Sequence, residues 1–422
     1  MEQFEIKEVK AREILDGGGY PTIEVDVLTK GGAFGRTAVP SGLSVGKHEA
    51  IKIRDEDDRY GGMGVLNAVK NVNEIIAPEL KGRDVTKQRE IDEFLIELDG
   101  TENKSKLGAN SILGVSLSIA KAASECIGIP LYKYIGGINS YILPVPLCVV
   151  IHGGRFFGGC DFEDASIIIP VGAETFSEAM RINTEVCHKL SDILKKKYGN
   201  RTVIEGAPFV PPIKDVREAL DITLKAVEEL GYGDKFGLGI DAAANNFYDE
   251  KKEKYIVMEN QVSREDMIEF YKELISTYPI LMIEDPLHEE DFEGFAEITT
   301  ELDIEIVGDD IFATNIKRLR RGIEIGAANT LLLKVDQIGT ISEALDAAEL
   351  AFRNGYGVLV SGRSLETEDT VIADIAVGLN CGQIKTGGTY RNEVNVKHNR
   401  LLRIEEELGR LARYPKNFRK PL

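Results

Sequence analysis

The amino-acid sequence predicts an α/β protein: a closed barrel of repeated strand–helix units behind a smaller α+β domain. Three observations carry this reading. Six short apolar runs, "FGLGID", "ILMIED", "IEIVGDD", "TLLLK", "GVLVSGR" and "CGQIK", end in polar or charged residues, and an amphipathic stretch follows each. The charges that close them, Asp241, Glu284, Asp309, Lys334, Arg363 and Lys385, lie 43, 25, 25, 29 and 22 residues apart, so the last four intervals each hold one strand–helix unit and the first has room for an excursion. Upstream the order changes to strands first and helices afterwards, the pattern of a separate α+β unit. Repeated βα units imply parallel strands, and functional groups at their C-terminal ends favour closure into a barrel. The alternative, an open doubly wound sheet, lacks a G-x-G-x-x-G after a first strand.

The elements follow in order. "MEQFEIKEVKAREIL" scatters charge through its length and has no apolar core, so it reads as neither a signal peptide nor a membrane span. "TIEVDVLTK" and "GGAFGRTAVP" alternate as strands across a "GG" turn, and the glycine-rich loop "PSGLSVGKHEA" comes next. Residues from about 62 to 126 read as helices, including "GVLNAVKNVNEIIAPEL" and the Ala-, Ser- and Leu-rich "GANSILGVSLSIAKAASE". The turn and proline residues of "GGINSYILPVP" mark the boundary, which gives an N-terminal domain at 1–138 and a barrel at 139–422.

Composition narrows the function. With 43% hydrophobic residues in 422 and no low-complexity tract, the chain is globular. Its 51 basic against 70 acidic side chains give a net charge of −19, which repels phosphate backbones and anionic membranes and so argues against nucleic acid and membrane partners. The protein reads as cytoplasmic. Cys126, Cys148, Cys160, Cys187 and Cys381 are odd in number and lack CxxC spacing, the expectation for reduced packing residues.

In a barrel the strand-end residues converge on one mouth. Asp241, Glu284 and Asp309 then face one another, and a hard divalent cation relieves their repulsion; oxygen-only donors select Mg²⁺ or Mn²⁺ over zinc. Lys334 ends a buried apolar run, where an ammonium is costly unless compensated, and the acidic ring supplies the compensation. Lys385 lies across from the carboxylates. A lysine desolvated beside a dication loses its proton more readily and can act as a general base. A single strand-end Asp is more often a helix N-cap or turn residue. Six consecutive strand-end charges, acids first and bases afterwards, are not explained as six independent caps.

At these residues the sequence resembles the enolase family. "IEDP", "VGDD", "LLLKVDQIGT", "SLETEDT" and "QIKTG" occur in the family's order, with "AFRNGYG", "LHEEDFEGFA" and "LRIEEELG" beside them, and the likeness runs from near residue 5 to the C-terminus. The resemblance implies a modified (β/α)₈ barrel carrying an N-terminal α+β capping domain. It implies that Asp241, Glu284 and Asp309 bind Mg²⁺, and that Ser44 closes over a second ion, so one or two Mg²⁺ are expected. It assigns Lys334 to abstraction of the proton α to a carboxylate, Lys385 to the substrate carboxylate, and Arg363 and Ser364 to a phosphate. A homodimer or higher homo-oligomer is implied in the same way.

Departures from the family concentrate on the leaving-group side. "HGGRFFGG" followed by "EDASIII" places Phe156 at the family's active-site histidine and Ala165 at its glutamate. "IEGAPFVPP" places Gly206 at a second glutamate, with Glu205 one position earlier. "SGRSLETED" puts Gly362 at another histidine, and "DGGGYPT" puts Gly18 at an arginine. Glu163, Asp164 or Glu205 can supply a displaced acid, and the plainer reading of each is an exposed loop acid. Phe156 and Phe157 either line a larger apolar pocket or fill vacated space. Arg155 and Arg391 are candidate anion contacts or solvated surface groups, and His48 and His152 stand open between structural and catalytic roles. Cys160 has no identifiable base.

The expectation is therefore a divergent enolase paralogue: a Mg²⁺-dependent lyase that removes an α-proton from a carboxylate, expected to be phosphorylated, and then eliminates or rearranges it. Two alternatives stand beside it: phosphopyruvate hydratase with relocated acids, and an enolase-fold binding protein without chemistry.

Overall fold

A computed structural model describes residues 2–42, 45–154, 158–199 and 209–415, and the backbone of 203–204. The N-terminal domain opens with an antiparallel meander of β1 (Ile6–Leu15), β2 (Pro21–Thr29) and β3 (Phe34–Ala38). Alternation along β2 sends Ile23, Val25 and Val27 inward with no exposure. Against this face lies the helix Ala109–Ile127, whose small side chains permit close approach, and Ser118 Oγ donates to the Val25 carbonyl at 2.8 Å. The charge-scattered first segment is thus strand β1.

Eight strands close the barrel: β4 (Val145–His152), β5 (Asp164–Ile169), β8 (Gly237–Asp241), β12 (Ile280–Glu284), β13 (Glu305–Gly308), β14 (Thr330–Leu333), β15 (Gly357–Ser361) and β16 (Gln383–Gly387), with β16 pairing back onto β4. Two short strands, β6 (Val203–Ile204) and β7 (Phe209–Val210), extend the sheet beside β4. The long interval before Glu284 holds a three-stranded excursion of β9 (Tyr248–Asp249), β10 (Lys254–Val257) and β11 (Asn260–Val262). Val145, Leu147, Ile167, Met282, Val307 and Leu332 fill the lumen without exposure, so the barrel is a packed core.

One strand departs from the parallel expectation. β5 runs antiparallel to both β4 and β8. Only residues 153–163 separate β4 from β5, too few for the crossover that parallel neighbours need. This reversal brings the first residue of β5, rather than its last, to the barrel mouth.

No single helix among the described residues is long and apolar enough to cross a membrane. All five cysteines are free; the Cys148 and Cys187 thiols sit 3.8 Å apart in the core.

The capping domain depends on one close approach. A Cβ on Gly35 would lie 1.9 Å from the Ser118 carbonyl oxygen and 2.7 Å from the Ala122 nitrogen, both backbone atoms. Gly35→Ala is expected to cost roughly 1–3 kcal/mol or more as β3 is pushed off the helix, measured as a lowered urea midpoint; an unchanged midpoint would contradict this packing.

Candidate active site

Strand register sets the charged groups at one level. Asp164 lies opposite Asp241, Asp241 opposite Glu284, His152 opposite Asp164, and Ser361 opposite Lys385. The Lys385 ammonium reaches Asp164 at 2.8 Å, Asp241 at 3.0 Å and Glu284 at 2.7 Å, joining carboxylates from β5, β8 and β12. Lys334, just past β14, donates to Asp309 at 2.5 Å, and Gln337 Nε2 donates to the other Asp309 oxygen at 2.8 Å. Asp285 turns the chain beneath them, accepting the backbone N–H groups of Asp309 at 2.9 Å and Asp310 at 2.8 Å.

Burial and charge work against each other here. Desolvation alone would strip the proton from Lys385, but Asp164, Asp241 and Glu284 reverse this and hold the ammonium well above its ordinary range. Lys334 is likewise desolvated, and Asp309 carries it above the usual lysine value. Burial, then the Asp241 charge, pushes Glu284 well above the carboxylate range. For Asp164 burial pulls upward, yet Lys385 and His152 outweigh it and hold the carboxyl below its usual value. Glu163 next door is pushed up to about 7, by burial first and then by Asp241 and Asp164. Its Oε2 accepts from Asn246 Nδ2 at 3.2 Å.

These groups line a cavity of about 440 Å³ with Arg363, Ser364 and Arg391 on its wall. Four carboxyl groups, Asp164, Asp241, Glu284 and Asp309, surround two ammonium groups and form an oxygen-only donor set. Oxygen atoms of Asp285, Asp309 and Asp310 also lie within 4.8 Å of one another. The arrangement is one that a hard divalent cation fits.

Arg363 is buried and already engaged. Its guanidinium meets Glu49 at 3.0 and 3.2 Å and Asp336 at 3.1 Å, while its N–H donates to Glu366 at 2.9 Å. Glu366 also accepts from the fully buried Lys397 at 2.8 Å, which fixes the loop carrying Arg363 and Ser364.

The structure brings together Lys334, Lys385, Asp164, Asp241, Glu284, Asp309, Arg363 and Ser364. Ser44, Arg155, Phe156, Phe157, Glu205 and Gly206 lie outside the described residues. Ala165 faces the apolar core rather than the mouth. At Gly18 a Cβ would meet Leu365 Cδ2 at 2.5 Å, so Leu365 takes the space a side chain there would need. His152 contributes Nδ1 to Asp164 at 2.6 Å and lines the cavity. Cys160 is buried, its thiol pushed up to about 11 by that burial, which fits a packing role. Reasoning from strand C-termini missed Glu49, in the "HEA" of the glycine-rich loop, and Asp336 and Gln337, which follow Lys334 in "KVDQIG", because none of the three closes an apolar run.

A family model for the enolase N-terminal domain matches residues 6–135, and one for the enolase C-terminal TIM barrel domain matches residues 140–421. The chain belongs to the enolase family. Relatives named Enolase include one from Methanocaldococcus jannaschii, 56% identical over 423 residues (100% of this chain, 99% of the relative). Others come from Pyrococcus furiosus, 57% identical over 425 residues (99% of this chain, 98% of the relative), and Methanococcus maripaludis, 53% identical over 425 residues (100% and 99%). This enolase-family chain is an enzyme, a carbon–oxygen lyase, on a barrel with a capping domain. The expectation of a divergent paralogue is corrected: identities of 53–57% along nearly the whole length to proteins named plainly Enolase do not set the chain apart. The expected binding protein without chemistry loses its support on the same finding.

Removing Lys385 should expose the repulsion it holds in check. In metal-free protein, Lys385→Met is expected to cost about 3–5 kcal/mol at neutral pH, since it leaves buried carboxylates unpaired. The sign with pH follows from Asp164, whose folded value lies below its unfolded one. Its contribution is complete above the unfolded value and is lost as pH falls below about 4, so the difference between the two proteins should shrink there in chemical denaturation. A difference that grows on acidification would contradict the ion-pair reading.

Proposed function

We propose that this chain dehydrates 2-phosphoglycerate to phosphoenolpyruvate with Mg²⁺, the phosphopyruvate hydratase reading rather than the broader elimination or rearrangement. The observation that carries it is the meeting of strand-end carboxylates with Lys334 and Lys385 in one cavity; the Enolase names of full-length relatives support it. Lys334 takes the α-proton, Lys385 holds the substrate carboxylate, and Arg363 with Ser364 receives the phosphate. Asp241, Glu284 and Asp309 would hold the Mg²⁺, with Ser44 serving a second ion. When bound, the cation would supply positive charge to the substrate carboxylate as its α-proton leaves; Asp309, one of the residues that would hold it, is also the partner that keeps Lys334 protonated.

The departing hydroxide needs a proton, and Glu163 is the better donor than Asp164 or Glu205. Asp164 is committed to Lys385 and His152 as a carboxylate. Glu163 lines the cavity with a carboxyl that exchanges its proton near neutrality. Asp164 and His152 act as positioning residues for Lys385 and the start of β5. A cytoplasmic location accords with the acidic charge and free cysteines, and a homo-oligomer is proposed on the family likeness alone.

Turnover of 2-phosphoglycerate, followed by absorbance of the enol product, should require Mg²⁺. Lys334→Ala should lower kcat by roughly 10²–10⁴ and abolish Mg²⁺-dependent exchange of the α-proton in D₂O. Exchange that survives the substitution removes Lys334 as the base.

The acid assignment has its own signature. An acid works protonated, so kcat/KM should fall as pH rises through about 7 if Glu163 donates the proton. Glu163→Gln should slow turnover by about 10²–10⁴ and erase that alkaline limb; a limb unchanged in the variant assigns the proton elsewhere.

A further inference from the structure

A second group of donors joins the two domains, and one of them, Glu289, lines the same cavity as Lys334 and Lys385. His48 comes from the glycine-rich loop of the capping domain, and Glu289 and Glu290 come from the connection between β12 and the helix Phe292–Glu301. One ring nitrogen and two carboxylate oxygens from these residues lie within 4.8 Å of one another. His48 Nε2 contacts Glu290 Oε1, and Arg318 approaches the same oxygen at 3.4 Å.

Glu289 is the independent observation. It is only 7% exposed, and its Oε2 is buried with no hydrogen-bond partner among the described residues. Its main chain is fixed on both sides: the N–H donates to Asn245 Oδ1 at 2.9 Å, and the carbonyl accepts from Arg318 at 2.7 Å. The fold therefore holds a carboxyl in place without satisfying it, which is costly unless a cation completes the site.

We propose that His48, Glu289 and Glu290 bind a divalent cation of the Zn²⁺ or Mn²⁺ class, tying the capping loop to the barrel rim. A mixed imidazole and carboxylate set suits such borderline ions better than Mg²⁺, which prefers oxygen alone. The bound ion would brace the loop that also carries Glu49, the partner of Arg363. This site uses none of the residues assigned above to the substrate or to Mg²⁺.

The test is equilibrium dialysis of the whole chain against Zn²⁺ with Mg²⁺ in excess, followed by metal analysis. The wild-type protein should hold one more Zn²⁺ per chain than His48→Asn, with affinity at that site reduced roughly tenfold or more in the variant. Glu289→Gln should lose the same equivalent and also the Zn²⁺-induced rise in melting temperature, while its metal-free form melts no lower than wild type because an unpartnered charge has been removed. Should His48→Asn fail to fold, Glu290→Gln at the more exposed rim gives the same reading. Equal Zn²⁺ content in wild type and variants, or Zn²⁺ displaced in proportion to Mg²⁺, would overturn the assignment.

Discussion

The barrel mouth depends on the single ammonium of Lys385. It is surrounded by carboxylates from three strands that would otherwise repel one another in a desolvated space. Such a buried arrangement adds little to stability compared with an apolar core of equal volume, although breaking it is expensive. Its effect is one of placement: it fixes where Asp164, Asp241 and Glu284 point before any ligand arrives. It requires β16 to close onto β4 and β5 to run backwards, so closure of the sheet and assembly of the site are one event.

A similar neutralisation links the two domains. Arg363 sits between Glu49 of the capping loop and Asp336 after β14, and Lys52 joins Asp336 at 2.6 Å. All four charges are largely buried, so the capping domain is held to the barrel through groups that include Arg363 of the cavity wall. On the proposed function, a substrate phosphate reaching Arg363 would have to compete with Glu49, which would couple the position of the capping loop to occupancy of the cavity.

Much of this was legible in the sequence because strand-end residues of a barrel converge whatever their loops do. Asp241 and Glu284 close β8 and β12, and Asp309 and Lys334 follow β13 and β14 by one residue. The antiparallel β5 was not legible, since periodicity reports an apolar run and not its direction. Glu163 and Asp164 accordingly looked like loop acids, although reversal of β5 carries them into the mouth. Glu49 and Asp336 were hidden for another reason: a buried ion pair across 27 to 314 positions leaves no local pattern.

Glu163 and Asp164 show how far environment, rather than residue type, divides the labour. The two carboxyls are neighbours in the chain, Asp164 buried and Glu163 half-buried, and desolvation raises each of them. Both line the cavity, but their charged neighbours differ. Asp164 meets Lys385 and His152, which favour its charged form; Glu163 meets the negative charges of Asp241 and Asp164 itself, which favour its neutral form. The ionisation that makes Asp164 a fixed counter-charge therefore helps keep its neighbour protonated. Opposite shifts in adjacent acids are what separate an electrostatic anchor from a proton donor. In this chain the opposite shifts follow from one ammonium and one reversed strand.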